Sequence, residues 1–202
     1  MPLPRFERLA PERRESILAV ARRAFAADGL ESASYNKIIS AAGISKTTAY
    51  QYFDDRNDLL QTVLNDLVAR LTLVLGRWAP ATDTTRFWAE LAAASDRLVQ
   101  HLAEYPDDRA LARHLPPDSL ATAEWVRVLV ADGVRLGVIR TDINRSLIEA
   151  ATAGVLAAAD RWVLAGWNAP ARPHHDPTEV RRLLAGLWGT SPDKQQPHRN
   201  GQ

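Results

Sequence analysis

The sequence contains no cysteine. That absence excludes a disulfide framework, a thiolate nucleophile, a cysteine-ligated zinc and an iron–sulfur cluster. An excess of one charge is missing too. Over 202 residues, 25 Lys+Arg stand against 24 Asp+Glu, a formal net charge of +1, so bulk electrostatics give no support to nucleic-acid binding. No apolar run approaches the ~20 residues needed to span a bilayer. The opening Met1-Pro-Leu-Pro-Arg-Phe-Glu-Arg8 lacks the apolar stretch of a secretory signal. Convincing period-two alternation is absent throughout, which argues against strands. Lysine is scarce, with Lys37, Lys46 and Lys194 as the only ones. Most cationic contacts must therefore use planar guanidinium forks.

What is present, 46% hydrophobic and 24% charged residues, is the composition of a soluble cytoplasmic protein with one large or two small domains. The apolar spacing is helical almost everywhere. Ile17, Val20, Ala21, Ala24 and Phe25 form one stripe, with Pro11 near its start and Gly29 just past its end. Ser34 reads as the N-cap of a short helix ending before Gly43, and Ser45 as the cap of another running to about Phe53. Asp55 caps a long helix directed towards Trp78 and stopped by Pro80. Further helices are expected over 84–104, 107–114, 118–136 and 144–165. A last one begins at Asp176-Pro177-Thr178-Glu179 and ends near Gly189. The fold class is all-α.

Three short helices in the first ~55 residues have the organisation of a helix-turn-helix module. Its centre is Ser34-Tyr-Asn-Lys-Ile-Ile-Ser-Ala-Ala-Gly43-Ile-Ser45-Lys-Thr-Thr-Ala-Tyr-Gln-Tyr-Phe53. Gly43 permits the sharp reversal through positive φ. Ser45 then starts a helix short enough for its first turn to enter a major groove, where Lys46, Thr47, Thr48, Tyr50 and Gln51 offer donors and acceptors to bases and phosphates.

These residues closely resemble the TetR family of transcriptional regulators. The likeness is carried by Phe25 and Gly29, Ala41-Ala42-Gly43-Ile44-Ser45, Thr48, Tyr50, Tyr52-Phe53 and Leu59-Leu60. It is specific over about 13–64. Glu104-Tyr105-Pro106 and the Gly137–Asp142 turn extend it more weakly. The resemblance implies a dimeric repressor on double-stranded DNA whose larger helical domain binds a small-molecule effector and dimerises, with no cofactor, metal or membrane partner. By position it implies that Lys46, Thr47 and Thr48 approach bases, Tyr50 and Gln51 bases or backbone, and Tyr52 a phosphate. Arg56 falls where the family commonly places a phosphate-binding lysine. Ser34 and Tyr35 open a helix whose N–H groups would grip a phosphate. The matching domain boundaries are a DNA-binding segment over 1–56, an effector and dimerisation domain over 57–189, and a disordered tail over 190–202. Arg5 and Arg8 read either as a groove-seeking arm or as a disordered end.

Two positions depart from the family pattern. Ile39 stands where a small residue is usual and Ala49 where a larger aliphatic is usual. The isoleucine is expected to fill the volume that the alanine leaves.

All six tryptophans lie beyond the motif. Trp88, Trp125 and Trp162, within long helices, are the candidates for a ligand pocket. Arg97, His101, Asp132 and Asp160 are the polar candidates for an inward aim, and any single one of them also suits the surface. The small-residue run Ala150–Ala159 and the apolar Val180, Leu183, Leu184, Leu187 and Trp188 suit helix association across a two-fold axis.

An enzyme is the alternative of a different class, resting on His174-His175-Asp176 in a proline-containing loop without convergent partners. No phosphate loop, dinucleotide fingerprint or nucleophile elbow supports it. Another alternative keeps DNA binding under the control of a protein partner, or without any effector. Even residues 1–58 carry only nine basic residues against eight acids, so DNA affinity would rest on placement rather than on overall charge.

Overall fold

Prolines and short polar caps set the helix starts. The computed structural model of the chain describes residues 2–116, 119, 123–167 and 177–189. Pro4, Pro11, Pro106 and Pro177 each open a helix, where a missing N–H costs nothing. The elements are α1 (Pro4–Glu7), α2 (Pro11–Asp28), α3 (Tyr35–Ala41), α4 (Lys46–Ala49), α5 (Arg56–Leu75), α6 (Thr84–Glu104), α7 (Pro106–Ala112), α8 (Ala123–Arg135), α9 (Arg145–Gly166) and α10 (Pro177–Trp188). There is no strand among the described residues. Two compact units divide the chain: Met1–Leu71 with Val99–Leu115, and Thr72–Leu98 with Pro116–Gln202.

In the first unit α2, α3, α4 and α5 enclose Ile17, Phe25, Ile38, Ala49, Phe53 and Leu59. Burial of these side chains drives the association, each contributing on the order of 1.5–3 kcal/mol for the larger ones. α4 has one turn, shorter than the helix expected from Ser45 to Phe53, because the chain turns again over residues 50–52. α1 is a difference from the reading of this end as an arm or a disordered segment. Phe6 is buried with its ring 4.7 Å from that of Phe53 and 5.9 Å from that of Tyr52, and the Leu3 N–H donates to the Tyr52 carbonyl.

Charge is buried in the same unit. Asp108 on α7, 1% exposed, receives Arg70 at 3.0 Å and His101 Nε2 at 2.8 Å, with Arg22 Nε 3.6 Å away. Arg22 also pairs with Asp66 at 2.7 Å and Glu15 at 3.3 Å. Such a network ties α2, α5, the end of α6 and α7 together, and losing its cations leaves the buried Asp108 carboxylate without compensation.

The second unit has an aromatic core. Trp78 meets Phe87 and Trp125 edge-on at 5.1 and 5.5 Å, and Trp188 lies 5.8 Å from Phe87 and 5.3 Å from Trp88. The Trp188 indole N–H donates to Thr152 Oγ1 at 3.0 Å, satisfying a buried donor. Gly133 on α8 lies so close to Ile139 that an added Cβ would stand 2.5 Å from its Cδ1. Among the described residues one face of α9 has no cover: Leu147, Ala150, Gly154, Ala158 and Trp162 follow at helical spacing and are all exposed.

Candidate functional site

The reversal between α3 and α4 is fixed from three directions. Gly43 has φ +65°, a conformation that suits glycine because no Cβ opposes it. The Ile44 N–H donates to the Ile39 carbonyl at 3.1 Å. From α2, Arg13 donates to the Ala42 and Gly43 carbonyls, both at 3.3 Å. Arg13 carried no sequence signal for this role, since an exposed arginine on a helix is ordinary. Ser45 caps α4 as expected: its Oγ accepts from the Thr48 N–H at 3.1 Å and lies 2.8 Å from Thr48 Oγ1.

This geometry sorts the expected DNA-facing residues. Lys46, Thr47, Tyr50 and Gln51 are exposed, and Thr48 is half-buried beside Ser45. Tyr50 is 57% exposed, and its ring stands 6.0 Å from that of Tyr35. The Tyr35 hydroxyl is buried and has no hydrogen-bond partner among the described residues. Burial pushes that phenol up to about 12, with Tyr50, Asp55 and Asp58 adding to the effect. Ser34 is the N-cap residue of α3 but makes no side-chain cap bond. Tyr52 is buried against Phe6 and Phe53. Arg56 donates from Nε to the Ala33 carbonyl at 2.7 Å and from Nη2 to the Leu30 carbonyl, with its guanidinium 5.3 Å from the Phe25 ring centroid. It thus closes the α2–α3 loop onto the start of α5.

The second unit contains a cavity of about 410 Å³. Trp88 and Trp125 line it, with Leu91, Leu98 and Leu156 among the apolar groups and Asp160 and Arg181 as the charged ones. Arg181 is exposed, and its guanidinium lies 5.0 Å from the Trp88 ring centroid. Asp160 has no hydrogen bond or ion pair among the described residues. Burial pushes its carboxyl up to about 6, against the opposing influence of Arg161.

The other candidate ligand residues lie elsewhere. Asp132 is buried and accepts from Trp78 Nε1 at 3.0 Å and from the Ala81 N–H at 2.8 Å, with Arg135 also bound. Burial acts to raise its carboxyl, but the bonds from Ala81, Trp78 and Arg135 prevail and hold it below the usual carboxylate value. Arg97 donates to the Val74 and Leu75 carbonyls. His101 belongs to the Asp108 network of the first unit. Trp162 lies on the exposed face of α9. None of these four lines the cavity. Thr84 and Ser95, which do line it, had no distinguishing sequence signal. His174, His175 and Asp176 lie outside the described residues. Among those described, no three His, Asp or Glu side chains gather as a metal site, and no helix is long and apolar enough to cross a membrane.

A one-turn helix presented after a clamped glycine reversal, in a chain with a second helical unit, defines a helix-turn-helix DNA-binding regulator. Residues 17–63 match the family described as bacterial regulatory proteins, tetR family. By this match residues 17–63 are a TetR-family DNA-binding module. It is 27% identical over 192 residues to the HTH-type transcriptional repressor KstR2 of Mycolicibacterium smegmatis, covering 88% of this chain and 89% of that protein. Its fold resembles the fatty acid degradation regulator FadR from Bacillus halodurans (19% identity, TM-score 0.62, covering 85% of this chain and 97% of that one). It also resembles a TetR-family regulator from Chloroflexus aurantiacus (21% identity, TM-score 0.57, covering 94% and 97%).

Proposed function

We propose that the protein is a homodimeric cytoplasmic repressor that holds a palindromic operator and leaves it when a small molecule enters the cavity of the second unit. The cavity lined by Trp88 and Trp125 is the observation that carries the effector part of this reading. Its volume lies in the range of small-molecule sites, and its wall is mostly apolar with few polar groups. In this reading residues 1–56 read DNA and 57–189 sense the effector and dimerise.

Lys46, Thr47, Thr48, Tyr50 and Gln51 contact the operator from α4 and the turn after it, and the N–H groups beside Ser34 and Tyr35 meet a phosphate. Tyr35 supports the Tyr50 ring, while Tyr52 and Arg56 act mainly from within by holding the module together. The exposed face of α9, with Leu183 of α10, forms the dimer surface. Two reading modules at fixed spacing are what a two-fold symmetric site requires.

Selection of bound fragments from a genomic DNA pool, followed by footprinting, tests the reading. The expected product is a two-fold symmetric site protected over two adjacent major grooves. Recovery of no symmetric site would overturn the operator assignment. A protein whose DNA affinity no small molecule alters would remove the effector.

A further inference from the structure

The charged groups at the cavity are not equivalent. Arg181 is exposed, and its guanidinium already rests on the Trp88 ring. Water and an aromatic face therefore satisfy that cation. Asp160 is half-buried and has no such support. It lines the same cavity from α9 without a hydrogen bond or ion pair among the described residues, and Arg161, its neighbour in the chain, is exposed. A carboxylate held among apolar groups without a partner is costly, and a ligand that supplies a positive charge or strong donors removes that cost. The indoles of Trp88 and Trp125 share the cavity wall, and indole faces are the best side-chain surfaces for a cation.

We infer that the effector is a lipophilic cation, an ammonium group carried on an apolar body, with the ammonium at Asp160 and the apolar part along Trp88, Trp125 and Leu98. The inference rests on the effector reading of the cavity. It narrows the ligand from any small apolar molecule to one with a compensating charge. Arg181 at the cavity disfavours a polycation. A monocation with an apolar tail fits both the single unpaired carboxylate and the leucine-rich wall.

Calorimetric titration with a matched series separates charge from apolar burial. The probes are decylammonium, decyltrimethylammonium, decanol and decanoate, each below its micelle concentration. The two cations are expected to bind about tenfold or more tighter than decanol, with decanoate weakest. Asp160→Asn keeps the side-chain shape and is expected to erase the preference for the cations while leaving decanol unaffected. If that variant melts early, Asp160→Ser serves the same comparison.

Equal or tighter binding of decanol or decanoate overturns the inference, as does a cation preference that survives loss of the carboxylate. Absence of binding by any of the four overturns it too. Release of operator DNA, followed by fluorescence anisotropy, separates the two levels of the reading. Release by decanoate or decanol alone leaves the effector-controlled repressor standing and removes only the cation. Release by the cations from the wild type but not from Asp160→Asn supports both.

Discussion

The Asp132 carboxylate accepts a hydrogen bond from the Trp78 indole N–H at 3.0 Å, joining residues 54 positions apart in the chain. A second bond from the Ala81 N–H, at 2.8 Å, fixes the segment that leads into α6. Asp132→Ala leaves the Trp78 and Ala81 donors unsatisfied inside the second unit. A loss of about 3 kcal/mol in urea unfolding is expected, with Asp132→Asn milder because one acceptor remains. An Ala variant as stable as the wild type would mean that water satisfies these donors.

Gly133 makes a separate packing prediction. A methyl group there would stand 2.5 Å from Ile139 Cδ1 and 3.2 Å from Phe87 Cζ. Gly133→Ala should cost about 1–3 kcal/mol through overpacking. Ile139→Val removes the nearer methyl, so the double variant should recover part of the loss. Thermal melts of the four proteins in the cycle measure the coupling.

Arg56 and Lys46 separate a structural cation from a proposed DNA-binding one. Arg56 bonds two backbone carbonyls in the α2–α3 loop, whereas Lys46 is exposed. Arg56→Ala is expected to lower stability by about 2 kcal/mol and to leave the salt dependence of DNA binding unchanged. Lys46→Ala is expected to weaken binding and, where it meets a phosphate, to reduce the salt slope by about 0.9. A reduced slope in Arg56→Ala at unchanged melting temperature would return Arg56 to the phosphate.

Ile39 and Ala49 are both buried, at 3% and 0% exposure, on helices that pack together across the reversal. If the isoleucine fills the space that the alanine leaves, Ile39→Ala combined with Ala49→Val should be less damaging than Ile39→Ala alone. A double variant at least as unstable as the sum of the singles refutes compensation.

Asp160 gives the pH prediction. Its folded carboxyl stands at about 6, above the ordinary 3.8. The folded state therefore holds the extra proton between those values, and falling pH stabilises the protein through this window. Near neutral pH the charged form is destabilising. Asp160→Asn should consequently melt above the wild type at neutral pH, with the gap narrowing as pH falls through about 6 and gone only below 3.8. A gap independent of pH would assign the gain to packing.

Features set by neighbours in the chain were legible in the sequence. Gly43 and the Ser45 cap needed only a few adjacent residues, as did the Asp55 cap, whose Oδ1 accepts from the Asp58 N–H at 2.8 Å. What stayed hidden depends on distant partners. Phe6 is a lone apolar residue in a polar stretch, and its burial follows from Tyr52 and Phe53, far along the chain. Tryptophan content announced an aromatic unit without sorting its members: Trp188 is wholly buried, Trp125 lines the cavity and Trp162 is exposed. Periodicity places residues on faces, but it does not say which faces meet. For the same reason Asp132 and Asp160 look alike in the sequence, while one is fully bonded and the other has no bond among the described residues.

The exposed ridge of α9 bears on how the regulator senses its own abundance. Ala150, Gly154 and Ala158 offer small, shallow contacts between the larger Leu147 and Trp162, which permits close approach along the middle with an anchor towards each end. On the proposed dimer, well below its dissociation constant, the concentration of assembled repressor rises as the square of the chain concentration. Dilution at cell division then lowers operator occupancy more than proportionally. A filled ridge such as Gly154→Leu that tightened the dimer would bring that response back to simple proportion.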